Sequence, residues 1–386
     1  MTQRSAEGGR RVKAVVGLVA ALAVLFLVSV FWSSRQSEAA PSETAGARDV
    51  DGVTSRAGGD DLAANASGGP RSSLTATSSG ASQVKAAPAR RDSGVFAKFG
   101  WGSGSENLGR DRPEEANPEG PMSFAVDAQG RAVVLDQVNG RLLRLGEDGA
   151  VKDEVPLTVR AAQDVAVAQD GTLAVLDRLA DRTVAIHDET GKLLGELPVA
   201  GRGIDEPGGV TGLFIDGEDV YLEREHGALV KVGDTQGRPD SERPEIPGRP
   251  SRNGKFFLNA GLIDAAGGRL YVNAISRPEQ DHLYTRELQL GVPLLAILAL
   301  DTDLQGVVYV GLLVELPGAT ADEASRFNVR LVCLRGEDGA PLGQAELPAT
   351  TLPEESFRDF AIQNEGGVLY AYRTEAGVEY RRADCR

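Results

Sequence analysis

The stretch Phe124-Ala125-Val126-Asp127, followed by Gly130, Ala132-Val133-Val134-Leu135-Asp136 and Arg141-Leu142-Leu143-Arg144-Leu145, returns 41 residues further along the chain. There it reads Val165-Ala166-Val167-Ala168, Gly171, Leu173-Ala174-Val175-Leu176-Asp177 and Arg182-Thr183-Val184-Ala185-Ile186. Each copy is a short apolar run, a turn carrying Asp or Gly, and two further runs. A fixed period of about 40–50 residues built from short strands marks the blade of a β-propeller. The runs are continuous rather than alternating, which fits sheets covered on both faces by neighbouring blades.

Four fainter copies follow. Leu213-Phe214-Ile215-Asp216 precedes Asp219–Glu223, Leu262-Ile263-Asp264 precedes Arg269–Asn273, Leu298–Asp301 precedes Val307–Val310, and Phe360-Ala361-Ile362 precedes Val368–Tyr372. Six copies predict six blades. The last offers only three strands, Arg358–Gln363, Val368–Tyr372 and Gly377–Arg382. The unassigned run Val95-Phe96-Ala97-Lys98-Phe99 is expected to supply the fourth, sealing the ring and removing an open sheet edge.

On these residues the chain resembles the NHL-repeat family of six-bladed propellers. The likeness is best from Phe99-Gly100-Trp101-Gly102 through Asn117-Pro118-Glu119-Gly120, Phe124–Asp127, Gly130 and Leu135-Asp136, and continues through the second blade. Blades three to five depart from it through insertions. The resemblance implies the architecture and names no reaction, because fold does not fix function.

Upstream of the repeats the composition changes. Residues 1–13 are basic, with Arg4, Arg10, Arg11 and Lys13. Residues 14–32, AVVGLVAALAVLFLVSVFW, carry no charge, and as a helix rising about 1.5 Å per residue they reach across the hydrocarbon core. The positive flank predicts a single-pass signal anchor with a cytoplasmic N-terminus; a cleaved signal peptide is the alternative. Residues 33–92 hold 11 Ser, 13 Ala and 7 Gly and no aromatic residue, and read as a disordered linker. The expected fold class is therefore all-β, a six-bladed β-propeller over residues 93–386 preceded by one transmembrane helix and a disordered linker. With 34 Arg to 7 Lys, the expected setting is a bacterial inner membrane, the propeller facing the periplasm.

Charge excludes some partners. Residues 93–386 carry 30 basic and 48 acidic side chains, and a domain at −18 repels phosphate, so nucleic acid is not an expected partner. The bilayer is the partner expected of residues 14–32.

Several residues are candidates for chemistry. Aligning the second strands puts Asp136, Asp177, Glu223, Asn273, Gly311 and Tyr372 at one equivalent position, which a propeller repeats around its axis. Oxygen donors from Asp136, Asp177, Glu223 and Asn273 suit a hard cation such as Ca²⁺. The bland alternative is that they bond backbone groups of adjacent blades. Gluconolactonase-like hydrolases, six-bladed relatives within the resemblance, hold a divalent metal near the axis with Glu, Asn and Asp. That implies a Ca-dependent lactonase-like or lyase-type enzyme as the alternative function. His187, His226 and His282 form no zinc-binding pattern, and neither a nucleophile elbow nor a P-loop is present. Cys333 and Cys385 are the only cysteines; in an exported domain they either pair or remain two buried thiols. The proline-rich segment Gln236–Lys255 gathers Arg238, Arg243, Arg249, Arg252 and Lys255 and is expected to be a partner-docking loop. Together these features predict a membrane-anchored binding or scaffold module for a protein or polysaccharide, working without a cofactor.

Overall fold

The computed structural model describes Ser82–Gln83 and residues 94–316 and 326–386. Six antiparallel sheets form the blades of a propeller. Blade 1 comprises Ser123–Val126, Ala132–Asp136, Arg141–Leu145 and Val151–Pro156, and blade 2 Asp164–Val167, Leu173–Asp177, Thr183–His187 and Leu193–Pro198. Blade 3 comprises Val210–Asp216, Asp219–Arg224, Leu229–Asp234 and Glu245–Ile246. Blade 4 comprises Arg249–Pro250, Phe256–Asp264, Arg269–Ser276 and His282–Gln289, and blade 5 Leu294–Thr302, Val308–Glu315, Phe327–Leu334 and Pro341–Pro348. In each, the first strand is innermost.

Blade 6 is built from both ends of the domain. Phe360–Ile362, Val368–Thr374 and Gly377–Ala383 come from the C-terminal end, and Gly94–Trp101 pairs against the last of them with Phe99 opposite Val378. The predicted closure is therefore the observed one. The seam is tight: Gly377 lies at φ +148°, and a Cβ there would collide with the Phe99 carbonyl.

The repeat has a local cause. Five of the six inner hairpins share one hydrogen-bonded turn, in which Asp127, Ala168, Ser251, Asp303 or Gln363 donates its N–H to the start of the next strand and accepts one from Gly130, Gly171, Gly254, Gly306 or Gly366. These glycines, at φ between +72° and +108°, occupy the left-handed conformation that the turn requires. The second strands of blades 1 and 2 are buried at every residue, as continuous apolar runs predict. Hydrophobic clusters fill the joints between blades 1 and 2, 2 and 3, 4 and 5, 5 and 6, and 6 and 1. Each fully buried Leu or Val in them contributes roughly 1.5–3 kcal/mol. The joint between blades 3 and 4 is bridged by ion pairs, Arg277 with Asp216 and Arg249 with Glu223.

The shared turn corrects the expected register of blade 4. Its inner turn is Ser251–Phe256, so Leu262–Asp264 and Arg269–Asn273 belong to the second and third strands rather than the first and second. The segment Gln236–Lys255 is likewise no free loop. It contains the outer strand of blade 3 and the inner strand of blade 4, edge positions where proline is tolerated because no N–H is needed.

The expected membrane span, residues 14–32, lies outside the described residues, as does the basic tail before it. Among the described residues no helix is long and apolar enough to cross a membrane. The expected linker contributes one pairing: Ser82–Gln83 runs parallel to the outer strand of blade 4, beside Leu288 and Gln289.

Candidate functional site

The side chains that reach the propeller axis come from the innermost strands and the residues flanking them, joined by Glu223 from the second strand of blade 3. They form a polar belt that touches every blade. Ser123 of blade 1 donates to Asp164 of blade 2 (2.6 Å), which also accepts from the Leu213 N–H of blade 3 (2.9 Å). Arg358, leading into blade 6, crosses the axis to Asp164 and the Leu213 carbonyl, both at 2.7 Å. Arg249 of blade 4 grips Glu223 of blade 3 through two nitrogens (2.7 and 2.9 Å) and donates a third bond to the Leu300 carbonyl of blade 5. Arg252 pairs with Asp301 (2.7 Å) and donates to Asn364 of blade 6, whose amide reaches the Asp127 carbonyl of blade 1. Arg249 and Arg358 both stack on the ring of Phe214, with 5.1 and 5.3 Å from guanidinium to centroid.

Phe214, Asp301, Arg358 and Phe360 line two cavities that share the axis. The lower one, about 380 Å³, opens among the inner turns. The upper one, about 180 Å³, opens where the inner strands begin and is lined by Thr211, His226, Arg249, Ile297, Leu298 and Ser356 among others.

The structure does not bring the expected cation ligands together. Asp136 is consumed by its own blade: it accepts from the Gly109 N–H (2.8 Å), Asn139 (2.8 Å) and Arg141 (2.9 Å). Asp177 does the equivalent work in blade 2, accepting from the N–H groups of Ala161, Leu179 and Ala180. Both tie the connection entering a blade to that blade's second turn. Glu223 is held by Arg249, and Asn273, on a third strand, accepts from Thr285 (3.0 Å). Gly311 and Tyr372 lie on the second strands of blades 5 and 6. Among the described residues the one group of three His, Cys, Asp or Glu whose ligand atoms lie within 4.8 Å of one another is Cys333, Asp384 and Cys385, and its two sulfurs are joined as a disulfide.

The basic segment is also not a docking surface as a whole. Arg243 is 7% exposed and donates to the carbonyls of Pro198 and Val199, and Arg249 and Arg252 belong to the axial belt. Arg238 is exposed but paired with Asp234, while Lys255 is exposed. Of these arginines, Arg249 neutralises a buried carboxylate, that of Glu223. Burial alone would push the Glu223 carboxyl up, but the charge and hydrogen bonds of Arg249 and the nearby His226 ring override it and hold the group well below the usual carboxylate range.

Sequence reading missed the upper rim. Strands run eight or nine residues through most of blades 4 and 5, against four to six in blades 1 and 2. Measured from the shared inner turn, the surplus lies at the upper end, where three extra residues raise the edge by about 10 Å. Three β-bulges interrupt that edge. In the inner strand of blade 5 they fall between Leu294 and Ala296 and between Ile297 and Ala299, and in the second strand of blade 4 between Leu262 and Asp264. The residues left over are Leu295, Leu298 and Ile263, exposed at 44, 38 and 45%. The two strands meet there, the Leu294 N–H donating to the Ala265 carbonyl (2.8 Å). The one signal in the sequence was the length of the apolar run Leu294-Leu295-Ala296-Ile297-Leu298.

His226 stands in the turn between the second and third strands of blade 3. It and Glu225 both adopt the left-handed conformation, at φ +57° and +50°, an uncommon state for non-glycine residues. The turn is held by the His226 N–H donating to Thr211 (2.8 Å), and Nδ1 lies 3.6 Å from Glu223.

No family model and no curated protein matches the chain. Solved structures do. Hydrazine synthase of Kuenenia stuttgartiensis aligns at 15% identity and TM-score 0.44, over 67% of this chain and 76% of its own. Virginiamycin B lyase from Staphylococcus aureus aligns at 10% and 0.38, over 68% and 94%. A member of the duf4221 family from Bacteroides vulgatus aligns at 9% and 0.43, over 76% and 96%. At such identities the likeness is to the fold alone.

Proposed function

We propose that this protein is a membrane-anchored, extracytoplasmic binding module that docks a partner on the raised upper edge of blades 4 and 5. The observation that carries the reading is the set of three bulges that turn Ile263, Leu295 and Leu298 outward. A bulge re-aims one side chain without dissolving the sheet, and clustered apolar side chains on a rigid edge are anchors for another surface. Every exposed large apolar side chain among the described residues is aliphatic, which favours a protein over a polysaccharide, whose sugar rings stack best on aromatic faces. The uncharged run 14–32, its basic flank and the Ser/Ala/Gly-rich segment 33–92 support anchoring in a bacterial inner membrane with the propeller in the periplasm. The repeat pattern around Phe124–Asp136 supports kinship with NHL-repeat propellers. A Ca-dependent lactonase-like or lyase-type enzyme would hold an axial ion through Asp136, Asp177 or Glu223, and each of these is engaged elsewhere.

The test is affinity capture with the full-length chain in neutral detergent, comparing wild type with a triple Ile263→Asp, Leu295→Asp, Leu298→Asp variant. A stoichiometric protein partner retained by the first and lost by the second, at unchanged thermal stability, is the expected result. A partner captured equally by both overturns the reading.

A further inference from the structure

We propose that the upper cavity is a subsite for a carboxylate carried on a short aliphatic stem. The inference rests on the reading of the upper face as the binding face and specifies what enters its mouth.

Four carboxylates lie in or just beneath the cavity, and each has its own arginine: Glu223 with Arg249, Asp301 with Arg252, Asp359 with Arg373, and Asp164 with Arg358. Asp301 and Asp359 each accept a further bond, from the Thr302 N–H and from Ser356. Each carboxylate thus has its charge answered, and among them Asp359 Oδ1 is ion-paired with Arg373 without accepting a hydrogen bond. The donors are not all used. All three nitrogens of Arg249 are engaged, but Arg358 spends only Nη2, on Asp164 and the Leu213 carbonyl. Its Nε and Nη1 have no partner among the described residues and are not sealed from solvent. At the rim, the His226 ring is two-thirds exposed and its Nε2 is free.

The polar capacity left over on Arg358 is therefore of donor type and permanently charged, and the His226 ring, with Nδ1 toward Glu223, adds a donor at Nε2 when it carries both protons. That selects an anion or a strong acceptor over a cation. The opposite wall is apolar, formed by Ile297 and the bulge residue Leu298, with Phe357 alongside. A volume of about 180 Å³ holds roughly six small groups at about 30 Å³ each, enough for a carboxylate with a stem of about three carbons. A free short-chain acid has this chemistry, and so does the C-terminal residue of a partner protein.

The experiment is isothermal titration of the full-length chain in neutral detergent with three probes: butyrate, a pentapeptide ending in Ala-Leu with a free carboxylate, and the same peptide amidated. The expected result is saturable binding of butyrate or of the free-carboxylate peptide, at least tenfold weaker for the amide, as loss of a charge-assisted hydrogen bond implies. Butyrate alone identifies a free acid as ligand; the peptide alone, or both, identifies a chain terminus. His226→Asn removes the ring while keeping a residue that tolerates the left-handed turn, and Leu298→Asp places a negative charge at the mouth. Both are expected to weaken binding about tenfold. Equal affinity for acid and amide, no binding by either acid, or indifference to both substitutions overturns the proposal. If the acids fail while the triple aspartate variant still loses its partner, the subsite falls and the docking edge stands.

Discussion

Replacing both Cys333 and Cys385 by alanine tests how the ring is held shut. Cys333 sits in the third strand of blade 5, and Cys385 lies two residues beyond the third strand of blade 6, the strand that receives the N-terminal run Gly94–Trp101. Their bond spans 52 residues of sequence and staples the ring's seam to the preceding blade. Closing a loop of that length in the unfolded chain is worth about 4 kcal/mol from chain entropy alone. With a urea slope of about 2.5 kcal/mol per molar, the midpoint should fall by roughly 1.5 M. The seam carries its own reporter: Trp101 ends the closing strand, and its indole N–H donates to the Thr374 carbonyl (3.0 Å). Trp32 is the only other tryptophan, so a Trp32→Phe background makes the fluorescence specific. The double alanine variant and the reduced wild type should unfold at the same lowered midpoint. A midpoint within about 0.3 M of the oxidised protein would refute the claim that the staple stabilises the seam.

Two further predictions concern buried charge. Glu223→Gln leaves Arg249 beside a neutral partner in a nearly buried site and should cost about 3 kcal/mol at pH 7, read by urea denaturation. Because the folded carboxyl is held low, this difference is fully present above the unfolded value of 4.5 and is lost only as pH falls below it; a difference already gone at pH 6 would contradict the pairing. His187 is buried with Nε2 on Thr158 (3.0 Å) and Nδ1 unpartnered, and burial, only partly offset by Asp188, pushes its pKa below 6.5. The unfolded chain therefore binds the extra proton first, so stability from this group is complete above pH 6.5 and falls as the pH drops below it. The stability profile of His187→Gln between pH 7 and 5 should be flatter than that of wild type, and an identical slope would count against a neutral buried imidazole.

Much of the architecture was legible because it is made of local, repeated chemistry. The Asp127–Gly130 turn recurs with its glycine in five blades, and continuous apolar runs such as Ala132–Leu135 follow from burial on both faces. Even the closure followed from counting, since three strands at one end and one at the other leave a single way to remove both edges. Blade 4 failed for an equally physical reason. Its inner strand is two residues long, Arg249–Pro250, and carries no apolar run, so the eye passes to the longer hairpin Phe256–Ser276 and shifts the register by one strand.

That one-strand shift explains why the site was misread while the fold was not. Placing Asn273 beside Asp136 and Asp177 made a ring of oxygens out of residues on different strands, and Asp136 and Asp177 bind the connections entering their own blades in any case. Placing Arg249 and Arg252 in a loop removed from the axis the two cations that fill it. Once Arg249 is returned to the inner strand of blade 4 and Arg252 to its inner turn, the charge pattern makes sense: four of the six blades send a carboxylate or an amide inward, and arginines from blades 4 and 6 answer them across the axis. An arginine fixed between two blades orders them as a shared cation would, through directional bonds rather than a spherical field. The bulge residues Leu295, Leu298 and Ile263 were hidden for another reason. A bulge leaves composition and apolar periodicity almost untouched, so a leucine turned to solvent reads in sequence like its buried neighbours. Only pairing register separates Leu294, 1% exposed, from Leu295 at 44%, and register is a property of two strands rather than of one.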